Sequence, residues 1–70
     1  MYLRDVFLKC SPAQWEEIAK KAGTNYPYLY QVSRGYATPS VGLAKNIVKA
    51  AKRCGWEVSL VEVLNPKTTK

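Results

Sequence analysis

The fold of this chain is decided by residues 18–32, which run IAKKAGTNYPYLYQV. Two helical stretches flank a single glycine here, at the spacing of a helix-turn-helix unit. In such a unit the first helix needs a small residue where the second packs closest, the turn needs a glycine, and the second helix needs two apolar residues three apart. Those places are occupied by Ala19, Gly23, Leu29 and Val32. The stretch therefore predicts two helices packed across a tight turn.

Capping signals bound the first of these helices. Ser11 is a good N-cap, Pro12 suits the first helical position, and Gln14 lies three residues after the cap, as in a capping box. Gly23 is the natural stop, because a left-handed residue at a helix end is least strained without a Cβ.

The second helix is predicted from about Tyr26 to Ser33, with Thr24 or Asn25 as its N-cap. Pro27 supports this boundary, because in the first turn its missing N–H would have no intrahelical partner. Gly35 is expected to end the helix.

Apolar residues at helical spacing predict one further helix on each side. The first ends near Lys9, and its stripe consists of Leu3, Val6, Phe7 and Cys10. The other begins after the cap Ser40 and ends at Gly55. Its stripe consists of Leu43, Ala44, Ile47, Val48 and Ala51.

The C-terminal segment fits two structures. Trp56, Val58 and Leu60 alternate as in a strand, whereas Ser59 and Glu62 form a capping-box pattern. We favour a helix from Leu60 to Leu64, ended by Pro66. The prediction is an all-α bundle of about five helices, with one domain over residues 1–66 and a polar tail over residues 67–70.

The basic charge is concentrated in the middle of the chain. The 70 residues carry a net charge of +6, and no Asp or Glu lies between Ile18 and Trp56. Such a surface favours a polyanionic partner, either nucleic acid or an anionic membrane. A membrane is disfavoured because no apolar run approaches the ~20 residues of a spanning helix, and Arg4 and Asp5 interrupt any signal peptide. We expect a cytoplasmic protein.

The composition argues against catalysis and metal binding. There is no His, and Cys10 and Cys54 are the only cysteines, so one protomer lacks the side chains for a zinc site or a Cys-His pair. No serine lies in a recognisable nucleophile motif. We expect no enzyme activity, no cofactor and no small-molecule ligand, and we expect both cysteines to be small buried residues rather than a disulfide.

Residues 29–35, LYQVSRG, and 39–44, PSVGLA, carry a family resemblance. This run of recognition helix, glycine stop, basic loop, Pro-Ser and core helix resembles the lambda-repressor-like helix-turn-helix proteins, in particular phage Cro proteins and YdaS-like regulators. The resemblance covers Ser11 to Gly55 and implies a helical bundle that binds operator DNA, commonly as a symmetric dimer. One position departs from the family: relatives often open the first motif helix with a phosphate-contacting Gln, whereas Trp15 stands here beside Gln14.

Helical geometry selects the candidate base-reading residues. If Leu29 and Val32 face the core, the leading and opposite faces of the helix carry Asn25, Tyr26, Pro27, Tyr30, Gln31 and Arg34. Gln31 suits adenine, and Arg34 suits guanine or a phosphate. Asn25 is equally explained as a cap, and Tyr30, like Tyr28, is also explained as a core aromatic residue.

A second set of polar residues is expected to contact phosphates. It consists of Gln14, Lys20, Lys21, Tyr36, Thr38, Ser40 and Lys45. The alternative for the lysines is a solvated face that only keeps the domain in solution.

The sequence therefore predicts specific binding of double-stranded DNA and transcriptional repression in the manner of Cro. The alternatives are an antitoxin-type protein-interaction module and a nonspecific nucleic-acid binder. A homodimer is expected through the C-terminal segment, since its apolar residues exceed what a short helix buries. These residues are Trp56, Val58, Leu60, Val61, Val63 and Leu64.

Overall fold

The computed structural model of the protein describes residues 1–65, which form five α-helices and no strand. The helices are α1 (Leu3–Lys9), α2 (Pro12–Ala22), α3 (Tyr26–Arg34), α4 (Val41–Arg53) and α5 (Leu60–Leu64). The predicted five-helix all-α fold is confirmed. Residues 56–59 have no regular secondary structure, so the strand alternative is not adopted. The predicted stop at Pro66 and the tail 67–70 lie outside the described residues.

Side-chain caps start four of the five helices. The cap oxygen accepts the backbone N–H three residues further on at Ser11, Asn25, Ser40 and Ser59. Asn25 is thus the cap of α3. At Ser59 the capping box is complete, because Glu62 accepts the Ser59 N–H at 3.1 Å. At Ser11 only the bond from the Gln14 N–H is formed within residues 1–65, so the capping box predicted there is half formed.

A three-residue turn, 23–25, joins α2 to α3. Gly23 has φ 86°, in the left-handed region that disfavours a side chain. This conformation lets the Thr24 N–H donate to the Ala19 carbonyl at 2.9 Å, which satisfies a carbonyl at the end of α2. The turn thereby ends one helix and directs the chain into the next within three residues.

The core lies where α2 meets α3 and α4. Ala19, Leu29 and Val32 are fully buried, so the anchoring residues predicted for the helix-turn-helix unit occupy the core as expected. α1 packs on α3, and α5 packs on α4. Trp15 and Ile47 are among the largest side chains enclosed between these layers. No helix within residues 1–65 is long and apolar enough to cross a bilayer.

The C-terminal segment contributes more to the core than the sequence suggested. Val63 is fully buried and Val58 is 6% exposed. Three other residues of the segment pack partly against the core: Trp56, Leu60 and Leu64. Val61, at 68% exposure, is left on the surface. The sequence predicted more apolar surface in this segment than a short helix can bury. The structure corrects this, because the segment exposes one apolar side chain, Val61, beside half-buried neighbours.

Both cysteines serve as packing residues. Cys10 and Cys54 are free thiols, half-buried, and packed against the core. Burial raises the pKa of the Cys10 thiol above its ordinary value, which keeps the thiol protonated near neutral pH.

Candidate nucleic-acid interface

α3 presents a polar edge to solvent because its apolar residues face inward. Leu29, Val32 and Ser33 are buried, and the Ser33 hydroxyl donates to the Tyr30 carbonyl at 2.6 Å. That bond satisfies the one buried polar side chain that α3 carries into the core. On the opposite face Pro27 and Gln31 are exposed.

Aromatic contacts from α1 and α2 support one side of this edge. The Phe7 ring meets the Tyr30 ring edge-on at 5.0 Å and the Tyr26 ring at 6.2 Å between centroids. Trp15 lies 6.4 Å from Tyr26 and 4.9 Å from Phe7. Both tyrosines are half-buried, so each is partly a packing residue and partly surface.

Arg34 completes the row that Tyr26 and Tyr30 begin, one helical turn further on. Its guanidinium carbon lies 5.3 Å from the centre of the Tyr30 ring, where the face of an aromatic ring attracts a cation. Within residues 1–65 the Arg34 Nε is buried without a hydrogen-bond partner, and the two terminal nitrogens of the guanidinium form no hydrogen bond. The stack therefore orders the side chain and leaves the donors of its fork to a ligand.

The conformation of Asn25 is compatible with both of its predicted roles, as a helix cap and as a base-reading residue. Its Oδ1 accepts the Tyr28 N–H at 2.9 Å, which confirms the cap. The side chain is exposed, and its amide nitrogen makes no hydrogen bond within residues 1–65. Tyr28 packs against the core, in line with its interpretation as a core aromatic residue.

The lysines of the predicted phosphate set lie on two other helices. Lys20 and Lys21 lie in the last turn of α2, where their ammonium nitrogens are 4.0 Å from the Glu16 carboxylate and 3.1 Å from the Glu17 carboxylate, respectively. These i,i+4 pairs are exposed and contribute little, so they do not prevent either ammonium from meeting a phosphate. Lys45 lies exposed on α4.

The rest of the predicted phosphate set lies mainly in the loop between α3 and α4. Tyr36 is 78% exposed, and Thr38 and Ser40 are also exposed. The Ser40 Oγ accepts the Leu43 N–H at 3.2 Å and keeps its own proton for donation. Gln14 is half-buried in the first turn of α2.

The structure places only part of the predicted phosphate set next to the predicted base-reading set. Tyr26, Tyr30 and Arg34 form one row along α3, and Phe7 packs against both of its tyrosines. The loop that follows is held to α3, because the Tyr36 N–H donates to the Gln31 carbonyl at 2.9 Å. The lysines and Gln14 belong to other helices.

Phe7 is the residue that sequence reasoning missed. It was assigned only to the apolar stripe of α1, yet it supports both tyrosines of the candidate interface. Its partners lie about twenty residues away in sequence, and no spacing rule connects them.

Comparisons of the chain with protein-family models, with curated proteins and with solved structures give no match. A functional assignment therefore rests on the geometry and charge of the molecule. The features that bear on it are the polar edge of α3, the arginine ordered on it, and the absence of Asp and Glu between Ile18 and Trp56.

Proposed function

We propose that this protein binds double-stranded DNA sequence-specifically, with α3 in the major groove, and represses transcription by occluding a promoter, as Cro-like repressors do. The observation that supports this most is the Arg34 guanidinium held on the Tyr30 ring, at the edge of a helix within a stretch free of acidic residues. The proposed activity is binding in the cytoplasm, without a cofactor or metal ion.

Two residues of α3 have the chemistry to distinguish bases. Gln31 is exposed, and its amide can bond both N6 and N7 of adenine. The fork of Arg34 can bond O6 and N7 of guanine. Asn25, Tyr26 and Pro27 belong to the leading turn of α3 that would meet the neighbouring base edges.

The phosphate contacts would come from the helices around α3. Lys20, Lys21 and Lys45 supply cations, and the hydroxyls of Tyr36, Thr38 and Ser40 supply neutral donors beside the start of α4. Gln14 would donate from the first turn of α2. Such contacts position the protein without selecting a sequence.

A single recognition helix contacts only a few base pairs, so we include a homodimer in the proposal, with half-sites about one helical turn apart. Val61 is the centre of the proposed contact, because it is 68% exposed and flanked by the half-buried Leu60 and Leu64. A two-fold contact of this kind uses the same patch on both protomers.

Selection from a pool of randomised duplexes at fixed salt tests the proposal. Enrichment of one motif, present as an inverted repeat, is the expected result. Binding that is strongly salt-dependent but enriches no motif would instead identify a nonspecific nucleic-acid binder. Absence of DNA binding at low salt would overturn the proposal and leave the antitoxin-type protein-interaction module as the remaining alternative.

A further inference from the structure

A second basic surface lies away from the polar edge of α3. Between the end of α2 and the second half of α4 is an open cleft of about 350 Å³, lined by Lys21, Asn46, Lys49, Ala50 and Arg53. Three of these five residues are cations and one is an amide. We call this surface the α2–α4 cleft.

Three of the four cations of α4 have a regular spacing and no acidic partners within residues 1–65. Lys49 and Arg53 are one turn apart, about 6 Å along the helix axis, and Lys45 continues the row by one more turn. Within residues 1–65 none of these three forms an ion pair, and Lys21 is paired with Glu17 at the edge of the cleft. Arg53 also lies in the last turn, where the helix dipole favours a cation, but Lys49 precedes that turn.

We propose that the α2–α4 cleft binds phosphate groups of the DNA backbone as a contact additional to α3. The inference rests on the proposed function and extends it to Asn46, Lys49 and Arg53. Lysine, arginine and asparagine are donors typical of phosphate contacts, and charge-assisted bonds to phosphate are short and strong.

The composition of the cleft favours a DNA backbone as its partner over another protein or a membrane surface. The core of a protein–protein interface is enriched in aromatic residues and depleted of lysine, whereas this cleft has two lysines and no aromatic residue. A membrane-surface helix would need large apolar side chains beside its cations. Among residues 1–65, Ala50 is the one apolar residue that lines the cleft.

The position of Lys21 indicates that the cleft meets the same duplex as α3. Lys21 precedes the last residue of α2, and only residues 22–24 separate it from Asn25, the cap of α3. The cleft thus adjoins the end of α2 from which α3 starts.

The test compares two double variants that remove the same charge. Lys49→Gln with Arg53→Gln alters the cleft, and Lys9→Gln with Lys52→Gln removes two exposed lysines that do not line it. Affinity for a random-sequence duplex is measured against salt concentration. The plot of log affinity against log salt has a negative slope, and the cleft variant should make that slope shallower by about 1.8, since each neutralised phosphate contributes about 0.9. At about 0.15 M salt this difference in slope corresponds to an affinity about 30-fold weaker than that of the wild-type protein.

The control variant should keep the wild-type slope, because neither Lys9 nor Lys52 lines the cleft or lies on α3. Equal slopes in the two double variants would overturn the cleft proposal while leaving DNA binding through α3 intact, and would leave an acidic protein as the partner to seek. Failure of the wild-type protein to bind any duplex would overturn the proposed function itself, so the two failures are distinct.

A direct probe uses the side-chain amide of Asn46 in an NMR titration with the same duplex. Its resonance should shift on DNA addition in the wild-type protein and in the control variant. An Asn46 resonance that stays in place while α3 resonances shift would contradict the cleft contact. Backbone spectra of both double variants check that the exposed substitutions leave the fold unchanged.

Discussion

The guanidinium carbon of Arg34 lies 5.3 Å from the centre of the Tyr30 ring, and the Phe7 ring packs against the same ring in an edge-to-face arrangement with 5.0 Å between the ring centroids. A residue of α1 thus supports a tyrosine of α3, which in turn orders an arginine one turn further along. Ordering a long side chain before binding reduces the entropy lost when it meets a ligand. The N-terminal helix is therefore expected to affect the proposed DNA contact through Phe7.

Replacing the Tyr30 ring should weaken DNA binding through Arg34. Tyr30→Leu removes the aromatic face, and a cation–ring contact at an exposed site is worth about 0.5–1 kcal/mol, or about two- to fivefold in affinity. Tyr30→Phe keeps the face and should retain most of the affinity for the selected duplex. Equal losses in both variants, measured by titration, would assign the effect to a phosphate bond from the hydroxyl instead.

Gln31→Ala should separate specificity from affinity. If Gln31 contacts a base, the variant loses about 1–3 kcal/mol on the preferred duplex and little on random duplex. Lys45→Ala, which removes a proposed phosphate contact, should weaken binding to both duplexes alike. Parallel titrations on the two DNAs give the comparison. Equal losses for Gln31→Ala would make it a positioning residue.

The helix boundaries were predictable from sequence because their signals are local. Ser11, Ser40 and Ser59 each cap a helix whose start follows at once, and Gly23 ends one where its positive φ is needed. The contact between Phe7 and Tyr30 joins two helices that other elements bring together, so no local rule predicts it.

The candidate site was also predictable only where its signals are local in sequence. The polar edge of α3 follows from helical period once Leu29 and Val32 are placed in the core. The α2–α4 cleft depends on how two helices pack, and only the placement of Lys49 and Arg53 on one side of α4 follows from their four-residue spacing. Burial of Val63 was missed because a five-residue helix gives too short a stretch for its period to identify the inner face.

Two glycine substitutions should change stability in opposite directions. Gly23 has φ 86°, and apart from its chain neighbours nothing in residues 1–65 lies within 4 Å of an added Cβ, so Gly23→Ala introduces backbone strain of about 1–2 kcal/mol and no clash. Gly42 lies in α4 with equally open space, so Gly42→Ala should stabilise by about 0.5–1 kcal/mol. Urea unfolding measures both. A destabilising Gly42→Ala, or a neutral Gly23→Ala, would contradict the helix ends described for α2 and α4.

Glu62 should make stability depend on pH in the acid range. Its carboxylate accepts from the Met1 ammonium at 2.7 Å and from the Ser59 N–H at 3.1 Å, and these partners hold the pKa of Glu62 below its ordinary value of 4.5. The unfolded chain therefore binds the proton more readily. The stabilisation is present above pH 4.5 and is lost as pH falls through the lowered pKa.

Glu62→Gln removes this titration, so the variant should be less stable than wild type at pH 6, and the difference should shrink toward pH 3. Urea unfolding at several pH values measures it. Asp5→Asn serves as the control because the Asp5 carboxylate forms no ion pair within residues 1–65. Parallel pH profiles for wild type and Glu62→Gln would show that the pair contributes nothing to folding.

Val61 and Val63 give a matched test of the proposed homodimer. Val61 is 68% exposed, so Val61→Glu should leave the fold unchanged and place a charge in the two-fold contact. Val63 is fully buried, so Val63→Glu should unfold the domain, since an unpaired charge in a core is strongly destabilising. Sedimentation should show a dimer for the wild-type protein and a monomer for a folded Val61→Glu, with affinity for the inverted repeat reduced to that for one half-site. A wild-type monomer at every concentration, together with unchanged protection of a single half-site by Val61→Glu, would exclude the dimer.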